Sequence, residues 1–302
     1  MNAGPEPWSR TEIAARLHQA DAMMAFMTDR IDAAMLEGAG HIRVVGCALK
    51  GFDSFDVDAC TRAGAWLTIV PDLLTEPTAE LALGLAISLA RHIPRGDESV
   101  RSGRFQGWRP QLYGTGLHGS TAAVIGLGMV GQAIVTRLAG FQCARLVGVD
   151  PVTRMTGVEN AALEAALKVA DFVFVAAPLT AQSCHLLDGA ALAHCQPAQF
   201  IINVGRGSVV DEEAVADALQ TGRLAGYAAD VFECEDWGLD SRPAGIASRL
   251  LERRDTLFTP HLGSAVRKVR IAIEHRAADN IIAVLEGREP ADAVNRPESV
   301  TA

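Results

Sequence analysis

Three strings in this sequence close apolar runs, and each carries a group able to hold an anion or move a proton. Asn203-Val-Gly-Arg206 offers a guanidinium, whose paired N–H groups clamp a planar or tetrahedral anion. Asp230-Val-Phe-Glu-Cys-Glu235 offers a carboxylate, and Thr259-Pro-His261-Leu-Gly-Ser264 an imidazole. A carboxylate beside a histidine orients the ring and favours its charged form, so Glu235 and His261 suit acid–base work. A fourth string, Gly126-Leu127-Gly128-Met129-Val130-Gly131, is a G-x-G-x-x-G with an apolar strand entering and a helix leaving. Its first glycine makes a tight turn, its second admits a pyrophosphate and its third lets helix and strand pack closely. The helix N-terminus then favours the anion. Asp150 ends the next apolar run, nineteen residues past Gly131. A carboxylate there accepts hydrogen bonds from an adenosine ribose and repels the extra phosphate of NADP, although Arg154 lies close by. The expected cofactor is NAD.

These groups need a scaffold, and the apolar pattern supplies one. Met23–Phe26, Ile42–Cys47 and Trp66–Val70 are short apolar runs separated by helical patterns at Thr11–Ala20 and Asp56–Ala63. Alternation of this kind predicts βαβ units with parallel strands. Pro77–Arg91 reads as a helix with proline in its first turn, and 103–119 as a loop. Strands are predicted at Ala122–Ile125, Leu146–Val149, Phe172–Ala176, Phe200–Asn203, Tyr227–Val231 and Thr256–Thr259. Helices are predicted from Met129, over Val158–Val169, over Glu212–Thr221 and from Ala265 to Leu285. Uninterrupted apolar strands are those buried on both faces. The fold class is therefore α/β, a Rossmann-type doubly wound domain in mid-chain with a smaller, flavodoxin-like α/β domain.

With 302 residues there is room for two domains, each with its own core. A formal net charge of −9 argues against nucleic acid or an anionic membrane as partner. The six cysteines include no pair at metal-ligand or C-x-x-C spacing, so no metal site is expected, and scattered thiols fit a reducing, cytoplasmic setting. Residues Met1–Pro7 show no signal-peptide pattern, and Leu81–Ala90 is too short to span a bilayer.

Arg206, Glu235 and His261, arriving in that order after the glycine string, resemble the D-2-hydroxyacid dehydrogenase family. The resemblance covers nearly the whole chain. It implies a substrate domain of residues 1–72 and 263–302, a nucleotide domain of 73–262, and a homodimer. It also implies that Pro178 and Asp230 join the glycine string and Asp150 in holding the cofactor. Relatives carry a further strand and helix before the segment equivalent to Thr11–Met27, so the first βα unit is expected to be missing and a strand edge exposed. Within the family, Val45-Gly-Cys-Ala-Leu-Lys50-Gly51-Phe-Asp places a lysine where most members use small residues and amides. That string resembles the phosphite-oxidising branch, as do those around Met27, Trp108, Tyr113, Ser264 and Arg270. The branch implies Lys50 and Arg206 as a clamp for a small anionic substrate, phosphite, with Gly51 adding amide donors and Met27 walling the pocket. Trp108, Tyr113, Ser264 and Arg270 follow as pocket or support residues, the first two equally suited to packing in a dimer arm. Water would attack phosphorus as hydride leaves, with His261 taking its proton. The rival expectation is a hydroxyacid dehydrogenase acting on glyoxylate or hydroxypyruvate. A third is a NAD-sensing, non-enzymatic protein like the corepressors of the superfamily.

Overall fold

The computed structural model describes residues 8–297; the Met1–Pro7 segment read above for a signal peptide lies outside them. The chain forms two compact units. One takes the described residues through Leu74, Glu235–Arg242 and the described residues from Ala265 onward; the other takes Thr75–Cys234 and Pro243–Ser264.

The smaller unit is built on three parallel strands, β1 (Ala22–Ala25), β2 (Val44–Cys47) and β3 (Trp66–Thr68), in the order β1-β2-β3. Pairing runs Ala22 to Val44 and Val44 to Trp66. The helix Arg10–Leu17 starts at Ser9 in a capping box, where the Ser9 hydroxyl and the Glu12 carboxylate each accept a backbone N–H from the other residue. Its Ile13 and Leu17 join Met35, Val45, Cys47 and Leu67 in one core. The long helix Arg267–Leu285 packs on β1 and β2. Gly46 permits that approach, since a Cβ there would lie 2.5 Å from the Ile281 side chain.

The larger unit is a seven-stranded parallel sheet: β4 (Thr121–Ile125), β5 (Arg145–Val149), β6 (Glu159–Asn160), β7 (Phe172–Val175), β8 (Phe200–Asn203), β9 (Gly226–Ala229) and β10 (Thr256–Phe258). Its order is β10-β9-β8-β7-β4-β5-β6. The chain walks outward from β4 to β6, then returns to β7 on the other side, so the order reverses at β4. In open parallel sheets ligands bind beyond the C-terminal strand ends at such a reversal. Alternate residues feed two cores, Ala123, Ile125, Val173 and Val175 on one face and Ala122, Val124, Phe172 and Phe174 on the other. The doubly wound α/β architecture expected from the sequence is what forms.

Two local differences matter. The helix expected over Val158–Val169 is split: Glu159 and Asn160 pair with β5, and the helix covers only Leu163–Leu167. Gly148 on β5 leaves room there for the buried Val158, so the start of the apolar pattern is spent on an edge strand. A helix that the apolar pattern did not suggest, Ile93–Arg101, follows Thr75–Ala90 and has no buried residue. Among the described residues no helix is long and apolar enough to cross a membrane.

Candidate active site

The candidate groups of the larger unit lie along one edge of its sheet, each in the loop that leaves a strand. After β4 comes the glycine string. Gly126 sits at φ +87°, and a Cβ there would lie 2.7 Å from the Ala177 backbone. A Cβ on Gly131 would fall 1.9 Å from the Gly126 carbonyl oxygen. Gly128 differs: it is exposed, it caps the helix Met129–Gly140, and a Cβ would meet nothing within 4 Å. Two glycines are thus needed for packing, and the third keeps open space in front of a helix N-terminus. The amides of Met129, Val130 and Gly131 have no intrahelical acceptor in that first turn, so the cradle fits a pyrophosphate.

Asp150 follows β5 and turns back on the string. Its carboxylate accepts from Leu127 N at 2.7 Å, Val152 N at 2.9 Å and Thr153 N at 2.7 Å. Partial burial works to raise its pKa, but these three bonds and the Arg154 charge outweigh it and hold the carboxyl below its usual range. Arg154 spends its guanidinium on the carbonyls of Asp150 and Thr153. The site therefore presents an ionised acid beside the cradle, as a ribose requires.

Pro178, after β7, is exposed, and its carbonyl accepts from the Ser183 hydroxyl at 2.6 Å. After β8, buried Asn203 organises the turn to Arg206: its amide nitrogen donates to Arg206 O at 3.0 Å and its oxygen accepts from Gly205 N at 3.1 Å. Gly205 is obligatory there, because a Cβ would lie 2.6 Å from Ala177 O. Neither Asn203 nor Ala177 stood out as a site residue in the sequence, yet Ala177 is the backbone against which both the Gly126 and Gly205 turns pack.

Asp230, after β9, is 2% exposed and clasps the turn that carries His261. It accepts from the Thr259 hydroxyl at 2.6 Å, Leu262 N at 2.7 Å and Gly263 N at 2.8 Å. Burial raises its pKa, opposed by those bonds and the nearby His261. The clasp has a cost to balance, because His261 stands at φ +54°, a left-handed conformation rare outside glycine. Expected as a cofactor ligand, Asp230 also has this structural duty, for which Thr259 is the unforeseen partner. Arg206 follows β8 and His261 follows β10, two strands along, which puts their loops about 10 Å apart at the usual strand spacing.

In the smaller unit, Met27 follows β1, and Lys50 and Gly51 follow β2, again at C-terminal strand ends. Lys50 is half-buried; desolvation lowers its pKa, against the pull of Asp72. Arg270 on the long helix donates to Ala48 O at 3.3 Å, supporting the loop that carries Lys50. Glu235 closes the short turn Glu233–Glu235 and opens the Glu235–Arg242 segment of this unit. Ser264 is half-buried at the last position of the larger unit. Trp108 and Tyr113 stand 76% and 74% exposed, so this chain encloses neither ring.

Comparison with known proteins agrees with this geometry. Residues 83–263 match the NAD-binding domain of the D-isomer specific 2-hydroxyacid dehydrogenases. The chain belongs to that family. It is 34% identical over 296 residues to the glyoxylate reductase of Pyrococcus furiosus, covering 95% of this chain and 86% of that one. Among solved structures, the TT0316 protein of Thermus thermophilus is 33% identical with a TM-score of 0.88, covering 96% of this chain and 91% of that one. The 2-hydroxyacid dehydrogenase of Ketogulonicigenium vulgare is 26% identical with a TM-score of 0.85, covering 97% and 91%. The chain is thus a NAD-dependent oxidoreductase of this family. The first and third of these relatives are named as glyoxylate reductase and 2-hydroxyacid dehydrogenase, so the narrower resemblance to phosphite-oxidising members is not matched by them.

Proposed function

We propose that the enzyme interconverts a small 2-oxo acid and its 2-hydroxy acid, with glyoxylate as the leading substrate. The observation that carries this reading is the placement of Arg206 and His261 on the strand-end edge that also bears the nucleotide cradle. The relatives named as glyoxylate reductases, which align along almost the full chain, support it. When bound, NADH supplies the hydride that reduces a carbonyl, and NAD accepts one in reverse. Arg206 holds the substrate carboxylate through paired N–H groups. His261, protonated, gives its proton to the carbonyl oxygen as that oxygen gains negative charge. Glu235, on the Glu233–Glu235 turn, is assigned the carboxylate role expected from the sequence. Asp230 keeps the imidazole loop in its strained turn, and Gly128 leaves the cradle open.

A second reading, oxidation of phosphite to phosphate, is favoured by Lys50. A half-buried lysine is costly to keep charged and is repaid by an anion, and phosphite near neutrality is largely a dianion that suits a second cation. In that reaction the bound cofactor would accept the hydride lost from phosphorus, and His261 would take the proton of the attacking water. Nicotinamide absorbance separates the readings. Consumption of NADH with glyoxylate or hydroxypyruvate, and no NADH formed from phosphite and NAD, supports the first; the reverse pattern supports the second. No turnover above background with any of these substrates sinks both. Lys50→Ala sharpens the result, since it should abolish phosphite turnover while leaving glyoxylate reduction within several-fold.

A further inference from the structure

Glu212 is buried and Glu233 nearly so, and neither carboxyl has a part in the chemistry above. They sit on the two segments that lead from Arg206 and toward Glu235. The backbone N–H of Glu212 donates to Glu233 Oε1 at 2.9 Å, and the backbone N–H of Glu233 donates to Glu212 Oε1 at 2.9 Å. Each carboxylate therefore caps the other residue's main chain. The remaining oxygens are also engaged: Glu212 Oε2 accepts from Ala247 N at 3.0 Å, and Glu233 Oε2 lies 2.9 Å from His185 Nε2. His185 is fixed in turn, its own N–H donating to Ser208 O, two residues past Arg206. Between the segments the backbones touch, because a Cβ on Gly207 would fall 1.9 Å from the carbonyl carbon of Phe232.

Two carboxyl groups this close, one of them fully buried, are an expensive way to stabilise a fold. Glu212 is 3% exposed, burial raises its pKa, and the Glu233 charge raises it further against the bonds from Ala247 and Glu233. What this pair supplies is registry: two reciprocal bonds tie the segment after β8 to the turn after β9, and Ala247 and His185 hold the two outer oxygens in place.

We propose that Glu212 and Glu233 form a reciprocal clasp that positions the Arg206 and Glu235 segments for the reaction. They are positioning residues, acting through Arg206 and Glu235 rather than on substrate. This rests on the roles given to those two residues above. Glu212→Ala removes two acceptors and strands the amides of Glu233 and Ala247, while Glu212→Gln keeps one carbonyl oxygen for Glu233 N. The expected outcome for Glu212→Ala is a tenfold or greater rise in KM for the 2-oxo acid and a tenfold or greater fall in kcat. Glu212→Gln should recover most of that, and NADH affinity, measured by nicotinamide fluorescence, should stay within twofold in both. Because both residues serve one clasp, Glu212→Ala/Glu233→Ala should be no worse than either single change. A folded Glu212→Ala with a lowered melting temperature but unaltered KM and kcat would overturn the proposal, leaving a structural role only. Amide hydrogen exchange tests the clasp without any substrate. In Glu212→Ala the amides of 205–210 and 231–234 should exchange at least tenfold faster while those of β4 and β5 do not change. Unchanged exchange refutes the clasp, whereas faster exchange in an enzyme whose wild type turns over none of the tested acids refutes only the functional reading.

Discussion

Replacing Asp150 by Ser tests how this chain chooses its cofactor. The carboxylate is ionised at neutral pH, because three backbone N–H groups and Arg154 outweigh its partial burial. Two unit charges about 4 Å apart near a protein surface repel by roughly 4 kcal/mol, close to a thousandfold in affinity. Arg154, exposed on the same loop, offsets part of this. Halving the repulsion still leaves about 2 kcal/mol, or roughly thirtyfold in favour of NADH over NADPH. The assay is titration of both reduced cofactors by nicotinamide fluorescence, at low and high salt. In the wild type the preference should shrink as salt screens the exposed charges. In Asp150→Ser it should drop by about thirtyfold at low salt. NADH itself should bind more weakly, since Leu127 N loses its acceptor and the ribose loses a carboxylate. A ratio of the two affinities that moves less than threefold on substitution would refute the electrostatic account.

Three other outcomes follow from the geometry. Gly131→Ala, whose Cβ would sit 1.9 Å from Gly126 O, should displace the Met129–Gly140 helix and remove measurable NADH binding while the smaller unit keeps its helical signal in the long C-terminal helix. His261→Ala should lower turnover by about a hundredfold or more, the usual scale for a lost general acid, with NADH affinity unchanged. Asp292 is held by Arg276 at 2.6 and 2.8 Å and by Asn280 at 2.8 Å. Those bonds put its pKa below the ordinary carboxylate value, with the Arg276 bond the main cause and burial opposing. A carboxyl lowered in the folded state adds stability above its unfolded pKa of about 4 and loses it as pH falls through the folded value. Asp292→Asn should therefore destabilise by about 1–3 kcal/mol at pH 7, and the gap to the wild type should close below about pH 4 in urea melts.

The glycine string, Asp150 and the strands were legible because each is a local signal. Buried parallel strands read as apolar runs, and the G-x-G-x-x-G is one contiguous pattern, although the partner of Gly126, Ala177, lies far along the chain. Residues whose partners lie far along the chain were harder to read. Nothing near Asp230 in sequence announces Thr259 and Gly263, and nothing near Glu212 announces Glu233. The Ile93–Arg101 helix escaped notice because its apolar residues face outward, with Ile93 and Val100 half exposed or more. The Val158–Val169 pattern misled because a helical period in the sequence cannot show that Gly148 makes room for a strand. Lys50 was visible by type and place, but its half-buried state came only with the fold.

The long C-terminal helix also sets an order of events during synthesis. The smaller sheet is encoded well before it, yet Ile281 packs against Gly46, Asn295 Oδ1 accepts from Leu67 N at 2.6 Å, and Val294 N donates to Leu67 O at 2.8 Å. One apolar face of β1–β3 is therefore completed only after residues as late as Asn295 have been made. The larger unit meanwhile has its strands in hand once Phe258 is made. In that interval one face of the small sheet lacks its covering helix, while Ile13, Leu17 and Met35 are already in hand for the other, and exposed apolar surface of this kind favours aggregation.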